Sequence, residues 1–369
     1  MPLFRVCVCC LLFIQVVSCK KNSSSSPSPS NQVFIKGIDL SFSPEIASWG
    51  IPFSDNNVAT PMLTIIRNKG INTIRLRLWN NPATGHSSLQ EVMQFAKEAK
   101  AIGLKFYLDL HYSDDWADPG HQTKPAAWSS VSFSVLKDSV YQFTKNCLNY
   151  LTQNNAQPDY VEVGNEINVG ILWNEGKVNN LTDANWPNFA DLLKQGTRAI
   201  REVSSSTKIV LHLAGYDYAN DFFQKLNNYS PDFDIIGLSY YPWWHGMDLN
   251  VLKQTLQTLN GSFHKPILIA ETAYPFTLQW NDWTNNLVGL TNQLIPGYDA
   301  TQTGQAKFIT DLKVIVKTAS SLDHAGVCYW AGDYVAFKGT MSSNGSPWEN
   351  LALFDFQYKA LPALGELGK

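Results

Sequence analysis

Two apolar stretches of this chain end in glutamate: Val161-Glu162-Val163-Gly164-Asn165-Glu166 and Ile267-Leu268-Ile269-Ala270-Glu271. An isolated carboxylate in hydrophobic surroundings is strongly disfavoured, so acids placed there need partners or a purpose. Other short runs end in polar or aromatic side chains as well: Arg75-Leu76-Arg77-Leu78-Trp79, Asp109-Leu110-His111-Tyr112, Ser239-Tyr240-Tyr241-Pro242 and Cys328-Tyr329-Trp330. With a period of two, Arg75, Arg77 and Trp79 share one face of a strand and Asp109 shares one with His111, while the intervening leucines pack on the other side. Two readings fit such a set. One is a structural ion-pair network. The other is a pair of carboxylates facing each other across a substrate, one exchanging a proton and one attacking, which is the arrangement that cleavage of a glycosidic bond needs. The second is favoured because Glu166 and Glu271 close two separate apolar strands. Glu162 shares parity with Glu166 but lies deeper and reads as structural. Asn165 and Glu166 have opposite parity, so both can face one ligand only if the strand end is bulged or already turning.

The elements that must position these residues can be counted. Strand-like runs span 34–41, 73–79, 105–112, 160–166, 208–215, 235–241, 266–273 and 326–333, and helical patterns follow at 60–69, 89–102, 133–152, 188–203, 219–228, 248–259, 304–320 and 361–367. Glycines end several helices just before the next strand, as in Asn68-Lys69-Gly70 and Ala101-Ile102-Gly103, the expected left-handed C-cap. Eight strand–helix units predict an α/β fold, a single-domain (β/α)8 TIM barrel, whose functional residues lie at the carboxyl ends of the strands. Neither G-x-G-x-x-G nor G-x-x-x-x-G-K-[ST] follows a strand, which removes the obvious nucleotide-binding readings.

The 369 residues carry a formal charge of −3, which makes nucleic acid an unnatural partner. Only 16% of the residues are charged, whereas there are 12 Trp and 15 Tyr, whose faces suit the C–H faces of sugars and equally suit large cores. At the N-terminus Arg5 precedes an apolar run over Val6–Val17, followed by Ser18-Cys19, Lys20-Lys21 and a Ser/Pro-rich stretch. The run is shorter than the ~20 residues of a spanning helix and fits the core of a signal peptide. Val16-Val17-Ser18-Cys19 resembles a bacterial lipobox. Residues 1–18 are therefore expected to be a lipoprotein signal peptide, 19–32 a tether and 33–369 the catalytic domain, with Cys19 lipidated and the protein exported to a membrane face. Of the six cysteines, Cys147 and Cys328 then remain in the domain, read as two buried thiols rather than a bridge.

Five separated motifs together resemble glycoside hydrolase family 53, the endo-β-1,4-galactanases of clan A: Gly37-Ile38-Asp39-Leu40-Ser41; Arg75 to Asn80; Asp109-Leu110-His111-Tyr112-Ser113-Asp114-Asp115-Trp116 on to Gly120; Ser239-Tyr240-Tyr241-Pro242; and Trp348-Glu349-Asn350, beside Gly164-Asn165-Glu166 and the Ile-Ala-Glu of Glu271. The resemblance implies Glu166 as acid/base and Glu271 as nucleophile of a retaining double displacement, with the two carboxyls roughly 5–5.5 Å apart. It also implies Asn165 on the sugar 2-hydroxyl, Tyr241 on the nucleophile, and Arg77 or Arg75 keeping Glu271 ionised. Trp330 would be the platform at the cleavage site, and Trp79, Trp116, Trp244 and Trp348 would stack further sugars or simply pack loops. Asp39, Asp109 and His111 complete the expected substrate site. Expected partners are galactan and galacto-oligosaccharides, with the membrane reached only through the lipid, and the protein a monomer. The alternatives are a clan A hydrolase of another β-1,4-glycan such as a mannan, and a glycan-binding lipoprotein without activity. No cofactor is expected. In bacterial members calcium sits in the loop after strand seven on an Asp-x-Asp-x-His-x-Asn pattern. Here that loop reads Gln279-Trp280-Asn281-Asp282-Trp283-Thr284-Asn285, of which only Asn285 fits, so no metal site is expected there.

Overall fold

Eight parallel strands close on themselves: β1 (Ile35–Asp39), β2 (Thr73–Leu78), β3 (Lys105–Leu110), β4 (Tyr160–Val163), β5 (Lys208–Ala214), β6 (Ile235–Ser239), β7 (Ile267–Glu271) and β8 (Gly326–Tyr329). Each pairs with its neighbours in the chain, and β8 returns to β1 through Ile35 opposite Gly326 and Ile38 opposite Tyr329. The computed structural model describes Met1, Pro2 and residues 32–369, of which 33–369 are one unit. The apolar leader, Cys19 and the Ser/Pro-rich stretch lie outside the described residues.

The helices between the strands are α1 (Met62–Asn68), α2 (Leu89–Ala101), α3 (Phe133–Gln153), α4 (Trp186–Val203), α5 (Ala219–Asn227), α6 (Leu249–Phe263), α7 (Gln302–Ala319) and α8 (Pro362–Gly368). Their starts follow from local chemistry. Ser132, Asp248 and Thr301 accept backbone N–H groups of the first turn of α3, α6 and α7. Gly70 and Gly103, just beyond α1 and α2, adopt φ +89° and +86°, the left-handed conformation that a side chain would resist.

Alternation along the strands sorts the core into two parts. Ile74, Leu76, Leu108, Val161, Ile209 and Leu211 face the helices in one large cluster. Ile35, Tyr107, Tyr160, Val210, Ile235, Leu268 and Ala270 form a second cluster inside the barrel. Burying each large apolar side chain contributes about 1.5–3 kcal/mol, which is what fixes strand register. Above that inner apolar layer the same parity carries Arg75, Asp109, Glu162 and His212, all buried. Gly237 on β6 leaves them room: a Cβ there would come within 2.9 Å of Val210 Cγ1 and 3.4 Å of the His212 backbone.

The strands stop earlier than their hydrophobic patterns, β4 at Val163 and β8 at Tyr329, because the chain turns there into loops. Short helices at Ser43–Ser48 and Pro242–His245, and two-residue strand pairs at Ser54–Ala59 and Gly170–Lys177, are too brief to show a period in sequence. Cys147 and Cys328 are buried and unbridged.

Candidate active site

Two backbone irregularities bring the glutamates into one cleft. After β4 the chain passes Gly164 at φ +80° and Glu166 at φ +47°. A side chain at Gly164 would collide with Ile167 and Ile171, at 2.8 and 2.9 Å. A left-handed glutamate is uncommon, and here it lets Asn165 and Glu166 line the same cleft despite their opposite parity. On the other side, β6 pairs Leu238 with Ile269 but Ser239 with Glu271. Ala270 is thus the extra residue of a bulge, and it turns Glu271 inward although regular alternation from Ile267 and Ile269 would aim it at the helices.

The cleft is about 240 Å³, lies at the carboxyl ends of the strands, and is lined by Arg75, Arg77, Asp109, His111, Trp116, Asn165, Glu166, Tyr241, Trp244, Glu271, Trp330 and Trp348, among others. Below it one guanidinium organises four acids. Arg75 Nη1 lies 2.9 Å from Glu271 Oε1 and 3.0 Å from Asp39 Oδ2, and Nη2 lies 2.9 Å from Asp109 Oδ2 and 3.1 Å from Glu162 Oε1. Burial opposes the charge on Arg75, yet Asp109, Glu162, Glu271 and Asp39 hold it protonated. Glu162 has both oxygens occupied by Arg75, His212 and Tyr107. Burial penalises its charge, but Arg75 and His212 keep it well below the usual carboxylate range. It is structural, as its depth in β4 suggests.

Glu166 and Glu271 have opposite surroundings. Glu271 touches the Arg75 cation and accepts a hydrogen bond from Tyr241 Oη at 2.9 Å. Among the described residues Glu166 Oε1 accepts only from the neutral hydroxyl of Ser239, at 2.5 Å. Burial pushes Glu166 up to about 7, with Asp118 and Glu162 adding repulsion against the pull of Ser239 and Arg75. Burial and the Glu166 charge raise Glu271 too, against the pull of Arg75. Both acids are raised by burial, so one proton is kept between them near neutrality, and the direct contacts with Arg75 and Tyr241 favour the charge on Glu271, leaving the proton on Glu166.

The remaining predicted residues divide by what they touch. Asn165 sends Nδ2 to the Ala117 carbonyl at 2.7 Å and accepts from Arg75 at 3.0 Å through Oδ1. Asp39 does not line the cleft: it is 1% exposed and spends its carboxylate on Arg75 and the Ser41 N–H, one layer down. Trp79 is also buried, edge-on to Trp116 at 5.3 Å, with its indole N–H on His111 Nδ1. His111 lines the cleft with both ring nitrogens engaged, Nδ1 accepting from Ala117 N and Trp79, and Nε2 bonded to Asp109 at 2.8 Å. It is Arg75 rather than Arg77 that touches Glu271. Arg77 bonds Ser87 and lies 4.2–4.9 Å from the ring centres of Phe42, Trp116 and Trp79. Arg77 Nη1 and Asp109 Oδ1 are buried without a partner among the described residues, and both side chains border the cleft. Trp330 packs edge-on to Trp348 at 4.6 Å, while Trp116 and Trp244 are 40% and 58% exposed at the rim.

Ser239 and His212 were not singled out as site residues in the sequence. His212 stands in the middle of β5, away from the strand end where polar residues demand a reason. Its one signal is a histidine in the apolar run Ile209-Val210-Leu211-His212-Leu213 with the parity of inward Val210.

In the loop after β7, Asp282 accepts from the backbone N–H of Thr284 at 2.7 Å and Ser346 at 3.2 Å, and Glu349 accepts from Asn281 N–H at 2.5 Å. Among the described residues no group of three or more His, Cys, Asp or Glu is placed to hold a metal.

The family model of glycosyl hydrolase family 53 matches residues 35–367. An arabinogalactan endo-β-1,4-galactanase of Cellvibrio japonicus is 37% identical over 90% of this chain and 90% of its own length. Among solved structures, the GH53 catalytic domain of Ignisphaera aggregans superposes with a TM-score of 0.85 at 40% identity, covering 90% of this chain and 95% of that one. A structure from a study of two fungal β-1,4-galactanases gives 0.77 at 31% identity, covering 90% and 98%.

Proposed function

The chain belongs to glycosyl hydrolase family 53, and from that premise we propose that it cleaves internal β-1,4-galactosidic bonds of galactan or arabinogalactan with retention. The observation that carries this reading is the asymmetry of two carboxyls in one cleft: Glu271 against a guanidinium and a phenol, Glu166 against a lone hydroxyl. Glu271 attacks the anomeric carbon while Glu166 protonates the departing oxygen, giving a glycosyl-enzyme ester. Glu166 then deprotonates the water that displaces the sugar. Asn165 binds sugar hydroxyls, and Trp330 with Trp348 forms the aromatic wall beside the scissile bond. Trp116 and Trp244 are the stacking surfaces for neighbouring galactose units. Digestion of linear β-1,4-galactan beside mannan and cellulose tests the reading. Early shortening of galactan alone, with β-anomeric products, supports it; equal or preferential attack on mannan or cellulose overturns the substrate assignment.

Export and attachment through Cys19 are part of the same proposal. The signal lies in the run Val6–Val17 and Ser18-Cys19. Val33, where the barrel unit begins, bonds Asp323 and His324 ahead of β8, at the end of the barrel opposite the cleft. Labelled fatty acid entering the wild-type protein but not Cys19→Ser is the expected result; equal labelling refutes the anchor.

A further inference from the structure

Between Glu166 and the ion-paired Glu162 runs a short line of hydrogen bonds, and its polarity is fixed at one end. Both oxygens of Glu162 accept only, held by Arg75 and Tyr107, so His212 Nδ1, 2.6 Å from Glu162 Oε1, must carry a proton. The same nitrogen lies 3.2 Å from Asn165 Oδ1, which is identified as the amide oxygen because Arg75 donates to it. The other ring nitrogen, Nε2, is 2.9 Å from Ser239 Oγ, and Ser239 Oγ is 2.5 Å from Glu166 Oε1.

The serine has one proton and two neighbours. If Nε2 is bare, the Ser239 hydroxyl can turn to it, and Glu166 can then meet Ser239 only by placing its own proton on Oε1, the oxygen next to the serine. If Nε2 carries a proton, it donates to Ser239 Oγ and the hydroxyl is directed to Oε1. The acid proton of Glu166 is then confined to Oε2, which takes no hydrogen bond from the described residues.

We infer that His212 and Ser239 are positioning residues, His212 acting as a donor at both ring nitrogens so that the Ser239 hydroxyl occupies Glu166 Oε1 and reserves Oε2 for the proton delivered to the departing sugar oxygen. This rests on the reading of Glu166 as acid/base. The groups that face the line are Glu162 and Asn165 from β4 and its turn, Arg75 from β2, Glu271 from β7, Asp118 from the loop after β3, and Tyr241 and His245 after β6. Of these, Glu162 and Glu271 are the carboxyls whose charged form His212 favours.

Substrates that differ in their need for an acid separate positioning from mere structure. Ser239→Ala and His212→Gln should lower kcat/KM on galactan about 10- to 100-fold, less than the roughly 100- to 10,000-fold of general-acid catalysis as a whole, yet leave kcat/KM on a dinitrophenyl β-galactobioside within about 3-fold, since that leaving group departs without a proton. Ser239→Thr, which keeps the hydroxyl, should restore galactan cleavage. In nitrogen-15 spectra of histidine-labelled protein at the working pH, the His212 ring should show two protonated nitrogens. Equal losses on both substrates, or a bare Nε2, overturn the inference. Glu166→Ala is the control for the underlying reading: if it too affects both substrates equally, the acid/base assignment itself fails.

Discussion

Arg75 Nη1 sits 2.9 Å from Glu271 Oε1 while Nε and Nη2 of the same guanidinium clamp Glu162 at 3.1 Å each. One planar fork thus ties the proposed nucleophile of β7 to the deeper carboxylate of β4 across the barrel, and a point charge cannot reproduce that geometry. Arg75→Lys should therefore lower kcat about 100- to 1,000-fold, comparable to losing a preorganised transition-state donor, and destabilise the fold by roughly 3–5 kcal/mol because carboxylates are left buried without a partner. Steady-state kinetics with urea unfolding at pH 7 checks both, and an active, stable lysine variant would contradict the role.

The pH dependence follows from which group must hold the proton. Glu166 works as an acid only when protonated, and burial sets it at about 7. The rate of galactan cleavage should therefore fall as pH rises through about 7, approaching tenfold per unit beyond it. It should fall again at low pH, where protonation removes the nucleophile. A rate independent of pH from 6 to 9 would contradict the assignment, as would a profile that rises through this range.

The aromatic residues give a contrast between binding and stability. Trp330 lines the cleft, whereas Trp79 is buried behind it. Trp330→Ala should raise KM or lower kcat/KM by about 10- to 100-fold, as loss of a stacking face costs about 1–3 kcal/mol, with little change in unfolding. Trp79→Ala should cost about 3–5 kcal/mol of stability through the cavity it leaves. Thermal unfolding and kinetics on both variants decide whether the two roles separate this way.

Chelation should do nothing. The carboxylates of Asp282 and Glu349 are directed at backbone N–H groups of residues 281, 284 and 346, which fasten the loop after β7 to the chain following β8. Incubation with EDTA is expected to leave both Tm and galactan cleavage unchanged. A fall of several degrees that calcium reverses would show that the loop holds an ion.

Much of this site was legible in sequence because the barrel makes one rule general: inward residues alternate, and those at carboxyl strand ends meet. Strand-end position singled out Glu166 and Glu271 and depth set Glu162 below them, whereas Asn165 and Tyr241 come through the family resemblance. The rule could not separate Arg75 from Arg77, which share a face. The tie is broken by height, since Arg75 lies opposite Asp39 and Tyr107 while Arg77 lies opposite Asp109, nearer the rim. Strict alternation would have turned Glu271 outward. A one-residue bulge at Ala270, with no marker in the local sequence, is what brings it in. His212 and Ser239 escaped for a different reason: their contacts are made across strands β4, β5 and β6, and the inward parity each shows does not reveal them. Trp79, counted with the cleft aromatics through the family resemblance with loop packing as the alternative, is buried edge-on to Trp116.

The central claim is that Glu271 forms the covalent bond to the sugar, and an activated 2-deoxy-2-fluoro-β-galactobioside tests it most directly, because the fluorine slows breakdown of the glycosyl-enzyme more than its formation. Peptide mapping of the inactivated protein by mass spectrometry should find one fluorosugar, on Glu271, in the peptide containing Ile267-Leu268-Ile269-Ala270-Glu271, and none on Glu271→Gln. A label on Glu166 or Glu162, or turnover with inversion and no label at all, would contradict it.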